Sequence, residues 1–530
     1  MNTYLGWCAF GVLFSVAALA EPNQRSAEPA SDPLGMVGTV HFAVSCSAPA
    51  QKTFASGVAM LHSFWYEESE KAFEQAAQED PRCGMAHWGL AMNLWHPLWS
   101  QPNAATLKRG LAEAEQAEAL HPKSPRERAY IAAIKVFYSD YAKRSHEARA
   151  SAYSQAMEKL YRDYPQDHEA AAFYALSLLA SERDDDTAYT NRKKAAAILE
   201  KLFAEEPDHP GAAHYLIHAY DIPSMARLGL PAAQRYAKIA PTAPHALHMP
   251  SHIFARLGMW QEDIASNRAS IAASRRAIAL HMGGGSHQFH AMRFLFYAYL
   301  QCRQETQARQ LLAELKAMPP MKGLHGGGMD QRLPDLTLFE ALYPLELHRW
   351  AEAAALTPVA EAEPGYNARI YWARAIGKAR TGDLAGARQD LAELASIHQG
   401  LLAQKRTGFA EAVAQNMRQA QAWIYHAEGK HDAALALLRG LAQQEETAID
   451  PDLGLTAREM LADMLLELQR PQEALENYER DLKFNPNRYD ALYGAARAAE
   501  LAGKREQAKA YRAQLAQACA SSGSGSGSAE

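Results

Sequence analysis

Gly57-Val-Ala-Met-Leu-His-Ser-Phe-Trp-Tyr-Glu-Glu-Ser-Glu-Lys-Ala-Phe73-Glu-Gln-Ala76-Ala-Gln-Glu-Asp-Pro81 is the stretch whose reading decides the fold. A small residue, Gly57, lies in one predicted helix; an aromatic, Phe73, and a second small residue, Ala76, lie in the next; Pro81 ends it. The small positions let two helices approach closely, and the proline stops the second because it cannot continue the backbone ladder. One frame of 34 residues further on, Ala91 stands where Gly57 stood, His96 answers His62 and Trp99 answers Trp65. Near the other end Ala474, Tyr478 and Asn485-Pro486 repeat the frame, Ala508 follows Ala474 by 34, and Ala353 and Ala387 have the same separation. Alternating β-branched runs are missing between these points, and Ala, Leu, Glu, Gln and Arg dominate.

These spacings resemble the tetratricopeptide repeat across about residues 50–518. The resemblance implies an all-α fold: an α-solenoid of tetratricopeptide-like helical hairpins forming a right-handed superhelix, about nine to eleven hairpins long, with a concave groove. More narrowly, His41-Phe42, Ser45-Cys46, Leu61-His62-Ser63-Phe64-Trp65-Tyr66, the run from Asp80-Pro81 through Trp88-Gly89 to Ala91-Met92, and Met249-Pro250-Ser251-His252-Ile253-Phe254 are similar to a group of exported bacterial repeat proteins. That likeness implies fold and export, and no activity.

The chain divides into a signal peptide (1–20), a flexible leader (21–40), N-terminal repeats (41–210), an irregular histidine-rich centre (211–330), C-terminal repeats (331–518) and a Gly/Ser tail (519–530). The apolar run Leu5–Leu19 closes on Ala18-Leu19-Ala20, a small-x-small cleavage site, so the expected location is secreted or periplasmic. Four cysteines remain beyond it: Cys46, Cys83, Cys302 and Cys519. Cys46 precedes the first repeat and Cys83 opens the second, so a bridge would pin the N-terminal segment to the solenoid; the alternative is two buried thiols. Cys302 and Cys519 are expected to be unpaired. A net charge of −6 on 530 residues steers neither nucleic acid nor an anionic membrane to the protein, and no segment after the leader is apolar enough to be an integral span.

Chemistry concentrates in one place. Residues 209–290 hold nine of the 21 histidines. On a helix, His214, His218 and Asp221 project within about 60° of one another, and so do His245, His248 and His252. Counting from Pro207 as the end of a repeat puts His214, His218 and Asp221 at positions which, by the resemblance, line the concave groove. The expected metal ligands are His214, His218, Asp221, His248 and His252, followed by His287 and His290. Imidazole with carboxylate suits zinc, copper or iron. Met249, Met282 and Met292 would suit copper but read first as core. His281, His325 and Asp330 flank the glycine triplets 283–285 and 326–328, which read as loops able to cover the groove. Among the aromatics, Phe64, Trp65, Trp88, Trp95 and Trp99 read as core before they read as a ligand wall.

Several chemistries lack their motifs. There is no His-Glu-x-x-His, no Walker pattern and no Cys-x-x-Cys-His, and the one Gly-x-Ser-x-Gly lies in the tail at Gly523–Gly527. Three functions stay open. One is a groove that binds a peptide, protein partner or small ligand beside a divalent transition-metal site. The others are a metal-dependent hydrolase or oxidase and a metal-free interaction scaffold.

Overall fold

The computed structural model describes residues 35–99, 101–183, 186–322, 329–447 and 454–520. The signal peptide, the leader up to residue 34, His325 with its glycine triplet, and residues 521–530 of the tail lie outside that set. From Met36 on, the described residues belong to one compact unit.

The docking of Phe73 explains the repeat frame. Helix α1 (Ala48–His62) and helix α2 (Tyr66–Glu79) form the first hairpin, and α3 (Gly84–Asn93) opens the second. The Phe73 ring lies fully buried between α1 and α3, where a Cβ on Gly57 would come within 2.8 Å of it and one on Gly89 within 2.4 Å. The last repeats use the same device. Tyr478, on α23 (Pro471–Phe484), faces Gly494 of α24 (Tyr489–Leu501), whose added Cβ would lie 2.3 Å from the ring. Among the described residues, twenty-five α-helices follow one another as antiparallel hairpins and there is no strand. Counting Pro244–His248 and Pro250–Arg256 as two halves of one helix gives twelve hairpins, more than the frame alone indicates. No described helix is long and apolar enough to cross a membrane.

Contacts between distant repeats bring the superhelix back on itself twice. The first hairpin meets the fifth, formed by α9 (Pro210–Tyr220) and α10 (Leu230–Ile239). Thr39 N donates to Asp208 O at 3.1 Å, and Tyr236 Oη donates to Ser63 Oγ at 3.1 Å. A Cβ on Gly211 would lie 2.5 Å from the His62 ring. Further along, the region of α13 (Trp260–Ala279) and α14 (His287–Gln301) meets the final hairpin. Trp260 Nε1 donates to Asn487 O at 2.9 Å, and Asn487 Nδ2 donates to Gly258 O at 3.1 Å.

Two disulfides fasten these arrangements. Cys46–Cys83 joins the leader side of α1 to the start of α3, across 37 residues. Cys302 and Cys519, expected to be unpaired, also form a bridge, and it spans 217 residues. The expectation failed because a nearest-neighbour solenoid keeps residues so far apart in sequence from meeting; the second closure brings them together. Beside this bridge Arg488, with 1% side-chain exposure, donates to Glu459 (Nε to Oε2, 2.6 Å) and to Glu346 (3.0 Å). It links the last hairpin to two earlier ones through a buried cluster in which one guanidinium serves two carboxylates.

Candidate metal centre

Three elements supply the histidines. Helix α9 carries His214 and His218, with Asp221 immediately beyond its last residue. The broken helix of the sixth hairpin, α11 (Pro244–His248) and α12 (Pro250–Arg256), carries His245, His248 and His252. Its break falls at Met249, because Pro250 has no N–H for the preceding turn. Helix α14 supplies His287 and His290, and the loop before it is pinned to the first hairpin. Trp65 Nε1 donates to Gly283 O at 2.9 Å, and Gly283 N donates to Glu68 Oε1 at 2.7 Å. Gly284 has φ +93°, and a Cβ there would lie 2.7 Å from Trp65 Nε1, so the triplet acts as a fixed docking point.

The histidines fall into two adjacent triplets, His214/His218/His245 and His248/His252/His290, in each of which the ligand-capable atoms lie within 4.8 Å of one another. In both it is the Nε2 atoms that converge. His214 Nε2 is 3.1 Å from those of His218 and His245. His252 Nε2 is 3.0 Å from that of His248 and 3.3 Å from that of His290. Ring centroids are 4.8–6.4 Å apart in the first triplet and 4.5–5.4 Å apart in the second. Between them, His245 to His248 is 6.1 Å and His218 to His252 is 6.3 Å.

The far nitrogens of His214, His248 and His252 are anchored. His214 Nδ1 donates to the carbonyl of His62 at 2.6 Å. His248 Nδ1 donates to Asn267 Oδ1 at 2.7 Å; the amide is oriented by its own Nδ2, which donates to Asp263 O at 3.0 Å. His252 Nδ1 donates to Asp221 Oδ2 at 2.6 Å, while Arg256 Nε holds the other carboxylate oxygen at 3.0 Å. An oxygen acceptor on Nδ1 fixes the proton there and leaves Nε2 as a lone pair. Two such lone pairs, on His248 and His252, face each other at 3.0 Å. That contact requires a cation between them, either a proton or a metal ion. Burial opposes a proton on His248. Desolvation first, and then neighbouring imidazoles, pushes His214 down to about 3. The same causes hold His218, His245, His248 and His290 well below the usual histidine range. Burial also disfavours an ionised Asp221, but Arg256 and His252 outweigh it and hold its carboxyl well below the carboxylate range.

A third cluster has the same residue types and the opposite hydrogen-bond logic. Glu169, fully buried, accepts from His62 Nε2 at 2.7 Å and from His209 Nε2 at 3.0 Å. His209 Nδ1 accepts the N–H of Ala212 at 3.1 Å, and His62 Nδ1 pairs with Tyr215 Oη at 2.9 Å. Every ring nitrogen here has a complementary partner, so the cluster is satisfied as it stands. It caps α9 and holds the His62 carbonyl under His214.

Of the residues singled out in the sequence, His214, His218, His248, His252 and His290 converge in the triplets. Asp221 meets the far nitrogen of His252 rather than the convergence point. His287 sits apart from both sets, 5.3 Å from the His245 ring. His245 shares a face with His248 in the sequence, but only the position of α9 makes it a neighbour of His214. His281 is exposed in the loop, and Asp330 pairs with Arg332 Nε at 2.8 Å. His214 is itself fully buried instead of lining an open groove, because the first closure lays Phe64 over it at 4.5 Å between rings. Trp65, Trp88 and Trp95 are core. Trp99, 45% exposed, roofs His218 and His245 at 5.9 and 5.7 Å.

No protein-family model and no curated protein matches the chain. Among solved structures, a human IFIT1 dimer with PPP-AAAA is 14% identical, covering 90% of this chain and 98% of that one at a TM-score of 0.37. The P58(IPK) TPR domain is 12% identical (86% and 99% covered, TM-score 0.23). Cut9 from an APC/C hetero-tetramer, Cut9-Hcn1, is also 12% identical (85% and 76% covered, TM-score 0.34). Likenesses of that strength carry no argument about this chain.

Proposed function

We propose that this is a metal-binding helical-repeat protein in which each histidine triplet holds one transition-metal ion through three Nε2 atoms. The observation that carries the reading is the lone-pair contact between His248 and His252, within a set of three converging Nε2 atoms that a single metal ion satisfies together. Support comes also from the anchored far nitrogens, an arrangement that orients imidazoles and raises their basicity as ligands. The helical closures supply rigidity: ligands come from four helices whose spacing is fixed by contacts with the first hairpin. Both disulfides favour an oxidising compartment, so we place the protein in the periplasm or outside the cell.

The test is metal analysis by mass spectrometry of protein purified without an affinity tag, beside His214→Ala/His218→Ala and His248→Ala/His252→Ala variants. The expected result is two ions per chain in the parent and one in each variant. An empty parent that takes up no zinc, copper or iron at micromolar concentration would sink the proposal and leave a proton bridging the His248–His252 pair.

A further inference from the structure

We infer that the two histidine triplets work as one dinuclear copper centre, in which a pair of copper(I) ions binds dioxygen between them. The inference rests on the metal-binding reading above and adds the identity of the metal, the coupling of the two ions and the ligand they share.

Three observations point this way. The first is the ligand set: all six converging atoms are imidazole nitrogens, and among the described residues no carboxylate oxygen joins either triplet. Non-haem iron sites with open positions characteristically use two histidines and a carboxylate, whereas imidazole alone suits copper and zinc. Asp221, the nearest carboxylate, is turned to the far side of His252 and is already paired with Arg256.

The second is charge. The triplets touch, with ring centroids of 6.1 and 6.3 Å across the boundary, so two bound ions share one small, largely buried space without an anionic ligand. Coulomb repulsion scales with the product of the charges, so two divalent ions repel four times as strongly as two monovalent ones. A neutral six-imidazole box therefore favours a pair of copper(I) ions over a pair of zinc or iron(II) ions. It also favours any reaction that places an anion between the metals.

The third is access. His218, His252 and His290 are half-buried while their partners His214, His245 and His248 are sealed, so one edge of the double set faces outward beneath the exposed Trp99. An edge so narrowly exposed suits a small neutral ligand rather than a peptide.

Dioxygen completes the charge argument. Each copper(I) gives one electron, two Cu–O bonds form, and the O–O bond falls from double to single. Two monovalent ions and a neutral molecule become two copper(II) ions and a bridging peroxide dianion. No proton or outside reductant is needed, and the total charge of the pair with its ligand stays unchanged. The two ions stabilise the oxygen ligand from opposite sides, as paired metals do in other two-metal sites.

The experiment loads metal-free protein with copper(I) under anaerobic conditions, counts copper per chain, then admits oxygen while recording absorption and electron paramagnetic resonance. Expected are two coppers per chain, an intense near-ultraviolet band that appears with oxygen, and no paramagnetic signal, because bridged copper(II) spins cancel. His218→Gln, at a half-buried position, should retain the second triplet's copper and lose the band, with circular dichroism confirming the fold. Two bound coppers that ignore oxygen, or that give the full signal of isolated copper(II), would overturn the inference and leave the metal-binding reading standing. So would a protein that takes two zinc ions and refuses copper. Failure to bind any of these metals would remove both.

Discussion

Asp221 does its work one bond removed from the convergence point. Its carboxylate keeps the His252 proton on Nδ1, so an Asp221→Asn substitution, which can present an N–H to that nitrogen instead, weakens the second triplet alone. The expected loss is about 10- to 100-fold in affinity at that set, read by competition against a chromophoric chelator, with the first triplet unchanged. The same residues set a pH dependence. His214, His218, His245, His248 and His290 have folded-state values below the ordinary histidine range, with His214 at about 3. Between neutral pH and that depressed range the unfolded chain binds protons that the folded chain refuses, so stability is full above the unfolded histidine pKa and falls as pH drops through about 6.5. Asp221 and Glu169, also held low, add their own loss only near and below the unfolded carboxylate range, about 4. Buried Glu445, Asp463, Asp481 and Asp490 are each pushed up to about 7, chiefly by desolvation, and act in the opposite sense over the same window. The histidine contribution is therefore the difference between the metal-free parent and a His214→Gln/His218→Gln variant, whose urea midpoint should fall less than the parent's as the pH drops from about 6.5 to about 5. Equal slopes in the two proteins would mean that these imidazoles do not resist protonation.

At the scale of helices and turns, the legibility of the sequence divides cleanly. Phe73 and Gly57 could be read because a helical hairpin is local: its small residues, aromatic and terminating proline recur at fixed intervals within 34 positions. His214 with His218, and His248 with His252, could be read as pairs for the same reason, being one helical turn apart. What brings His245 to His214, or Asn267 behind His248, is the packing of one helix on another, and no periodicity announces it. The glycine triplet was legible as a loop and not as an anchor, because its partners Trp65 and Glu68 lie more than 200 residues away. That anchor can be tested. Gly284→Ala places a Cβ against the Trp65 indole at a left-handed backbone position, at a cost of about 1–3 kcal/mol. Because the same loop sets the start of α14, the substitution should also loosen His290 and weaken metal binding at the second triplet more than at the first. Unfolding midpoints and per-site titrations would read the two effects separately; a stability loss with both sites untouched would detach the loop from the centre.

The whole molecule departs from an open solenoid through its two returns, and the metal centre lies between them. The first, of hairpin one onto hairpin five, places Phe64 and the His62 carbonyl on the first triplet and is independent of Cys302 and Cys519. The second, of the last hairpin onto the region of α13 and α14, is closed by that bridge over a 217-residue span. In the chain-entropy description a loop of this length contributes about 5 kcal/mol by restricting the unfolded state, against about 4 kcal/mol for the 37-residue span of Cys46–Cys83. A Cys302→Ser/Cys519→Ser variant should therefore lose stability toward urea by an amount approaching that figure, while the Arg488 cluster with Glu346 and Glu459 continues to hold the last hairpin in place at equilibrium. Metal content should stay at the parent value, because every atom that anchors a far imidazole nitrogen belongs to residues 62–267, within or just beyond the first return. Losing metal along with the bridge would show that the second return, too, positions the histidines, through α14 and His290.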